Sequence, residues 1–142
     1  MSKSPFVIIN LQQQKKLLQS TSSKKYQVII LLMLDCGLRV SELIQLQCQH
    51  ISFSENKIKI TSITKSRGIP LTQRLLKALA DYWQVLKENR PDSYLFPAGK
   101  NSKISHFGRK QIWKKINQLS KGKANPTILR NTFVARIIKE ND

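Results

Sequence analysis

Residues 31–46 read LLMLDCGLRVSELIQL, and the break inside this run decides how the chain is organised. Positions 28–34 are continuously apolar, too short to cross a bilayer and suited to a helix buried on most sides. Gly37 then supplies a helix terminator. Two residues later stands Arg39, a charge that is costly to bury unless something pairs with it. Asp35 and Glu42 both lie within reach along the chain. An anion from outside the protein is the third candidate.

Working outward from this break, FVIIN (6–10) is strand-like and residues 11–19 pattern as a short helix. STSS (20–23) offers N-caps for the core helix over 24–35. On the other side, Ser41 opens a second short helix whose Leu43, Ile44 and Leu46 face inward. The period then changes to two: HISF (50–53), KIKITSI (57–63) and RGIPL (67–71) alternate apolar with polar, with turns at SEN (54–56) and TKSR (64–67). Thr72 caps a long helix predicted to run to about residue 89, with Leu75, Leu76, Leu79, Trp83 and Leu86 on its apolar stripe. YLFP (94–97) is an extended crossing. A further helix is expected from Ser105 to about residue 119, with Ile112, Ile116 and Leu119 on one face, Trp113 beside them, and Arg109, Lys110, Lys114 and Lys115 on the rest. SKGKANP (120–126) is a linker that leads, through Pro126, into a last helix over 127–139. The fold class is α+β: mostly helical with a small three-stranded antiparallel sheet, in a single domain over 1–142.

Charge narrows the function. The 142 residues carry 25 Lys plus Arg against 8 Asp plus Glu, a formal net of +17, which favours a polyanion because each neutralised phosphate releases counterions. Between positions 93 and 139 there is no acidic residue but there are eleven basic ones, whereas a merely solvated surface mixes both signs. An anionic membrane would call for a basic amphipathic helix or a lipid anchor, and neither stands out. Nucleic acid is therefore the expected partner, with no membrane involved. Cys36 and Cys48 lack metal-ligand spacing and have only His50 and His106 to assist them, so no zinc site is expected. No secretory signal is apparent, and the expected location is cytoplasmic and nucleoid-associated.

Three basic positions differ from the solvated lysines. Arg39 follows the helix break, Lys65 lies at the tip of a predicted hairpin, and Arg130 sits in NPTILRNTF (125–133) between Leu129 and Phe133. Two semi-buried arginines and a hairpin lysine meeting at one point would clamp a phosphate, since Arg forks match its oxygens and Lys can deliver a proton. The bland readings are an Arg39 ion pair with Asp35 or Glu42, a solvated Lys65, and an Arg130 that cross-links helices.

The ordered set CGLRVSELIQL (36–46), KIKITSITKSRGIPLT (57–72), YLFP (94–97) and NPTILRNTFVARII (125–138) resembles the catalytic domain of the tyrosine recombinases, or phage integrases. The resemblance implies that Arg39 and Arg130 hold the non-bridging oxygens of a scissile DNA phosphate. It implies that Lys65 is the general acid for the leaving 5′ oxygen, and that Glu42 is structural, holding an arginine in place. Arg67, Lys103, Arg109, Lys110 and Lys114 become DNA-binding candidates. In the family a tyrosine attacks the phosphate without metal or other cofactor, and a second copy or another recombinase protomer is a candidate partner.

The sequence also departs from the family pattern. Thr127 stands where a histidine is usual and is a candidate phosphate contact instead; Asn131 follows Arg130 where a histidine is common. Tyr26, Tyr82 and Tyr94 all precede Arg130 and read as core or core edge. The expectation is a truncated or degenerate catalytic domain, lacking the N-terminal DNA-gripping domain and the C-terminal tyrosine segment, and inactive alone. The alternative is a non-catalytic DNA-binding accessory or regulatory protein that keeps the fold.

Overall fold

The computed structural model describes residues 6–61, 66–98 and 108–140. Six α-helices and three strands are described: α1 Leu11–Gln19, α2 Lys24–Cys36, α3 Val40–Ile44, β1 Ile51–Ser52, β2 Lys57–Thr61, β3 Ser66–Pro70, α4 Gln73–Val85, α5 Arg109–Leu119 and α6 Pro126–Glu140. The α+β composition and the three-stranded sheet agree with the sequence patterning.

The core is built around α2. Its residues from Val28 to Cys36 are all buried, so it has no solvent face and must be covered by other elements. α4 and α6 pack against it. Side chains from every described helix and from β1 and β2 join the same apolar cluster. Ser23 caps the start of α2 by accepting the Tyr26 N–H, and Gly37 ends it in the left-handed region at φ 68°. Only glycine takes that conformation without strain. The same glycine leaves room for a neighbour: a Cβ there would lie 2.3 Å from Cδ2 of Phe133 on α6.

The sheet is antiparallel in the order β1-β2-β3, with Ile58 opposite both Ile51 and Ile69. Ile58 is fully buried, so the alternating pattern has fixed the register. Two boundaries differ from the reading of the sequence. His50 belongs to a 3-10 turn over Cys48–His50 rather than to the first strand, because its Nδ1 accepts the Gln47 N–H and closes that turn. Ser66, expected in the second turn, is already paired in β3 opposite Thr61, one residue ahead of the strand start expected at Arg67.

Two helices are shorter than expected. α4 stops at Val85 rather than near residue 89, with Leu86 extended. Residues 87–90 are Lys, Glu, Asn and Arg, so another turn would bury nothing, and propensity alone does not hold a helix end. The chain beyond is instead drawn alongside residues 46–49, through Gln49 N–H to Pro91 O, Cys48 N–H to Ser93 O and Leu95 N–H to Leu46 O. α5 starts at Arg109, because Gly108 is extended and its N–H donates to Gln111 Oε1. Ser105, the predicted start, lies outside the described residues.

The N-terminal segment is fastened to α6. Ile9 N–H donates to Thr132 Oγ1 at 3.1 Å, and Asn131 Nδ2 donates to the Val7 carbonyl at 3.2 Å. α6 begins as its sequence predicts, with Pro126 in the first turn and Asn125 Oδ1 accepting the Ile128 N–H.

Candidate nucleic-acid interface

Three elements bring their basic residues to one cavity of about 530 Å³. The end of α2 and start of α3 contribute Cys36, Gly37, Arg39 and Glu42, β3 contributes Arg67 and Ile69, and α6 contributes Arg130 and Phe133. The glycine break makes this possible: by ending α2, it lets Arg39 serve as the extended N-cap residue of α3. Phe133, three residues after Arg130 and on the same side of α6, closes against Gly37 and sets how near the two arginine-bearing elements come.

The electrostatics are lopsided. Among the described residues, three arginines and one carboxylate line the cavity. That carboxylate, Glu42, is engaged in two ways. Oε1 accepts the Arg39 backbone N–H at 2.9 Å, and Arg67 grips both oxygens, NH1 to Oε2 at 3.1 Å and NH2 to Oε1 at 3.4 Å. Burial works to raise the Glu42 pKa, but the hydrogen bonds from Arg39 N–H and Arg67, with the charges of both arginines, outweigh it and leave the carboxyl below its ordinary value.

Arg39 is exposed rather than semi-buried, since its backbone, not its guanidinium, carries the contact with Glu42. Among the described residues its side chain makes no ion pair within 4 Å. Asp35 does not pair with it. That carboxylate is buried and held by Arg74, at 2.6 and 2.9 Å, by the Thr72 hydroxyl at 2.5 Å, and at 3.7 Å by Arg136. Arg130 is half-buried, and its Nε is buried without a hydrogen-bond partner among the described residues. Orphaned buried donors are rare. Beside it, Arg39 and Arg67 line the same cavity, and guanidinium forks match the oxygens of a phosphate or carboxylate.

The remaining candidates fall in three places. Thr127 is exposed on the first turn of α6 and is not among the residues lining the cavity. Arg109, Lys110 and Lys114 are exposed on α5, where with Trp113 and Asn117 they line a separate open concavity. Lys65 and Lys103 lie outside the described residues. None of the tyrosines lines the arginine cavity: Tyr26 and Tyr82 are buried, Tyr82 donating to the Leu95 carbonyl at 2.7 Å, and Tyr94 bridges to Gln47. Burial pushes the Cys36 and Cys48 thiols up to about 12 and about 11, aided at Cys36 by the charge of Asp35, so neither is a nucleophile at neutral pH. Among the described residues no three His, Cys, Asp or Glu side chains are grouped to hold a metal, and no helix is long and apolar enough to cross a membrane.

The family profile described as "Phage integrase family" matches residues 8–141. The chain belongs to the phage integrase family. Among relatives of this integrase, a tyrosine recombinase of Pseudothermotoga lettingae is 34% identical over 113 residues, covering 77% of this chain and 38% of the relative. Tyrosine recombinase XerA of Pyrococcus horikoshii is 26% identical over 113 residues, covering 76% and 39%. The chain thus spans about two-fifths of the length of the curated relatives it matches. Two solved structures share the integrase fold. A XerA recombinase superposes with a TM-score of 0.83 at 24% identity, over 100% of this chain and 52% of that one. The Tn1549 transposon integrase, in complex with transposon right end DNA, gives 0.82 at 17% identity, over 99% and 56%.

Sequence reading missed three parts of this integrase site. Arg67, read as a DNA contact, is also the arginine that Glu42 holds, a pairing the sequence did not reveal. The buried Asp35 carboxylate pairs with the part-exposed Arg74 and Arg136, across 39 and 101 residues of sequence. Phe133 against Gly37 was equally invisible. Its only trace in sequence is the three-residue spacing from Arg130, which puts both on one helix face.

Proposed function

We propose that this chain is the phosphate-gripping part of a tyrosine recombinase catalytic domain acting on double-stranded DNA. The observation that carries the reading is that Arg39 and Arg130, far apart in sequence and on different elements, line one cavity. On this reading the two guanidinium groups take the non-bridging oxygens of one backbone phosphate and stabilise its pentacoordinate transition state. Glu42 fixes the Arg39 backbone and keeps Arg67 in position at the rim. Lys65, one residue before β3, delivers the proton to the leaving 5′ oxygen, and Thr127 is a further phosphate hydrogen-bond donor.

The nucleophile is not Tyr26, Tyr82 or Tyr94, none of which lines the cavity. A tyrosine from outside these 142 residues, such as one on another recombinase protomer, attacks phosphorus. The P–O5′ bond breaks, a phosphotyrosine forms, and the 5′ hydroxyl of a second strand reverses the step. The bond energy is conserved throughout, so neither nucleotide nor metal is consumed. A nucleoid-associated location follows from DNA as substrate.

The test compares two double variants on duplex DNA by gel-shift titration at fixed low salt. Arg39→Ala with Arg130→Ala removes two charges from the cavity, and Lys121→Ala with Lys139→Ala removes two exposed ones. The arginine pair is expected to lose tenfold or more in affinity relative to the lysine pair, because it deletes bidentate charge-assisted contacts and not only counterion release. Equal losses would leave a diffuse basic surface and no phosphate pocket.

A second reading, a DNA-binding accessory without cleavage, is favoured by Thr127 at the usual histidine position. A nicked duplex offered together with a tyrosine-bearing recombinase protomer separates the two. A covalent protein–DNA adduct whose yield depends on Arg39 and Arg130 of this chain supports catalysis, and adduct formation indifferent to both supports the accessory role.

A further inference from the structure

Away from the arginine cavity, α5 carries an exposed stripe in which an aromatic ring stands among cations. Arg109, Lys110, Trp113, Lys114 and Asn117 line an open concavity of about 720 Å³. They occupy positions i, i+1, i+4, i+5 and i+8 of one helix, so they share a face. The adjoining face is the one used for folding: Ile112 and Ile116 are fully buried. Trp113 is not part of that packing in the way its apolar character suggests, since it remains 41% exposed. The other tryptophan, Trp83, is half-buried and meets Phe53 edge-on with ring centroids 5.1 Å apart.

We infer that Trp113, flanked by Arg109, Lys110 and Lys114, is a stacking platform for an unpaired nucleotide of single-stranded or locally opened DNA. The inference rests on the DNA-binding reading above and adds a ligand class to it. Charge complementarity supports a polyanion, for among the described residues no acidic one lines the concavity, and none occurs between positions 93 and 139 of the sequence. The ring argues for an unpaired base. An intact duplex offers phosphates and base edges, which satisfy the lysines and arginine but leave the indole face against water. A base turned out of its stack covers that face, and its phosphates reach the neighbouring cations. Asn117, one turn further along the stripe, adds an amide able to pair with a base edge.

The test uses the full chain and two probes: an oligothymidine, and a duplex of the same length with a central unpaired loop, each set against the intact duplex. In a Trp83→Phe background, Trp113 is the sole tryptophan and reports directly. Its fluorescence is expected to be quenched by oligothymidine and by the looped duplex, and much less by intact duplex. Trp113→Ala should lower affinity for the two unpaired probes about tenfold or more and change intact-duplex affinity by less than twofold. Trp113→Phe, which keeps an aromatic face, should restore most of the loss. Equal losses on all three probes, or the absence of quenching by the unpaired ones, would overturn the inference. If the Arg39 and Arg130 variants lose duplex affinity while Trp113→Ala shows no preference among probes, only this inference fails. If duplex binding ignores both arginines while the Trp113 pattern holds, the phosphate-pocket reading fails instead.

Discussion

Gly37→Ala tests the geometry that holds the arginine cavity together. The substitution acts twice. At φ 68° an alanine sits in the left-handed region, at a cost of about 1–2 kcal/mol. Its Cβ would also lie 2.3, 2.5 and 2.9 Å from three ring carbons of Phe133, distances that force the ring or α6 to shift, as overpacking does at about 1–3 kcal/mol. Together these give roughly 2–5 kcal/mol, a large fraction of the about 5–15 kcal/mol that holds a domain. For a chain of this length the expected fall in Tm is about 7–17 °C, read by circular dichroism. A double-mutant cycle separates the parts. Phe133→Ala removes the steric partner, so Gly37→Ala made in that background should cost only the backbone share, with a coupling of about 1 kcal/mol or more. A coupling near zero, or a total cost under about 1 kcal/mol, would refute the claim that Phe133 closes on the glycine.

The remaining predictions concern the buried polar groups. Arg74→Ala leaves the buried Asp35 carboxylate with the Thr72 hydroxyl and the more distant Arg136, and should cost about 3–5 kcal/mol in urea unfolding. Adding Asp35→Ala to it should recover stability rather than deepen the loss, because the stranded charge is gone. Tyr82→Phe removes the donor to the buried Leu95 carbonyl and is expected to cost about 1–3 kcal/mol by the same assay. Glu42, whose folded pKa is depressed, contributes stability that is present above its unfolded pKa and is lost as pH falls through the folded one. Stability of the parent chain should therefore decline on acidification through the carboxylate range. Glu42→Gln should flatten part of that decline, and an unchanged pH profile would count against the Arg67 ion pair.

The legibility of the site in the sequence follows how local each feature is. The glycine break, the Ser23 and Thr72 caps, the proline at the start of α6 and the alternation of β2 are all written within a few residues. Their physics is local, so sequence reading reaches them. Helix ends were less legible where long-range contacts decided them. The polar run after Val85 would tolerate another helical turn on propensity, but backbone bonds between residues 46–49 and 91–95 claim that segment. Trp113 shows the same limit: its place beside an apolar stripe suggests burial, while the structure leaves it in the open.

Taken alone, the sequence determined the class of elements, the core helix, the basic character and the order of arginine-bearing segments that marks the family, because periodicity and composition carry those directly. Which carboxylate belongs to which arginine was decided only by tertiary structure. Asp35 and Glu42 are both near Arg39 along the chain, yet α4 brings Arg74 to the first and β3 brings Arg67 to the second. The Arg39 guanidinium is thereby left without an acid among the described residues. Ion pairing depends on proximity in space and on burial, and neither quantity exists until the helices have packed.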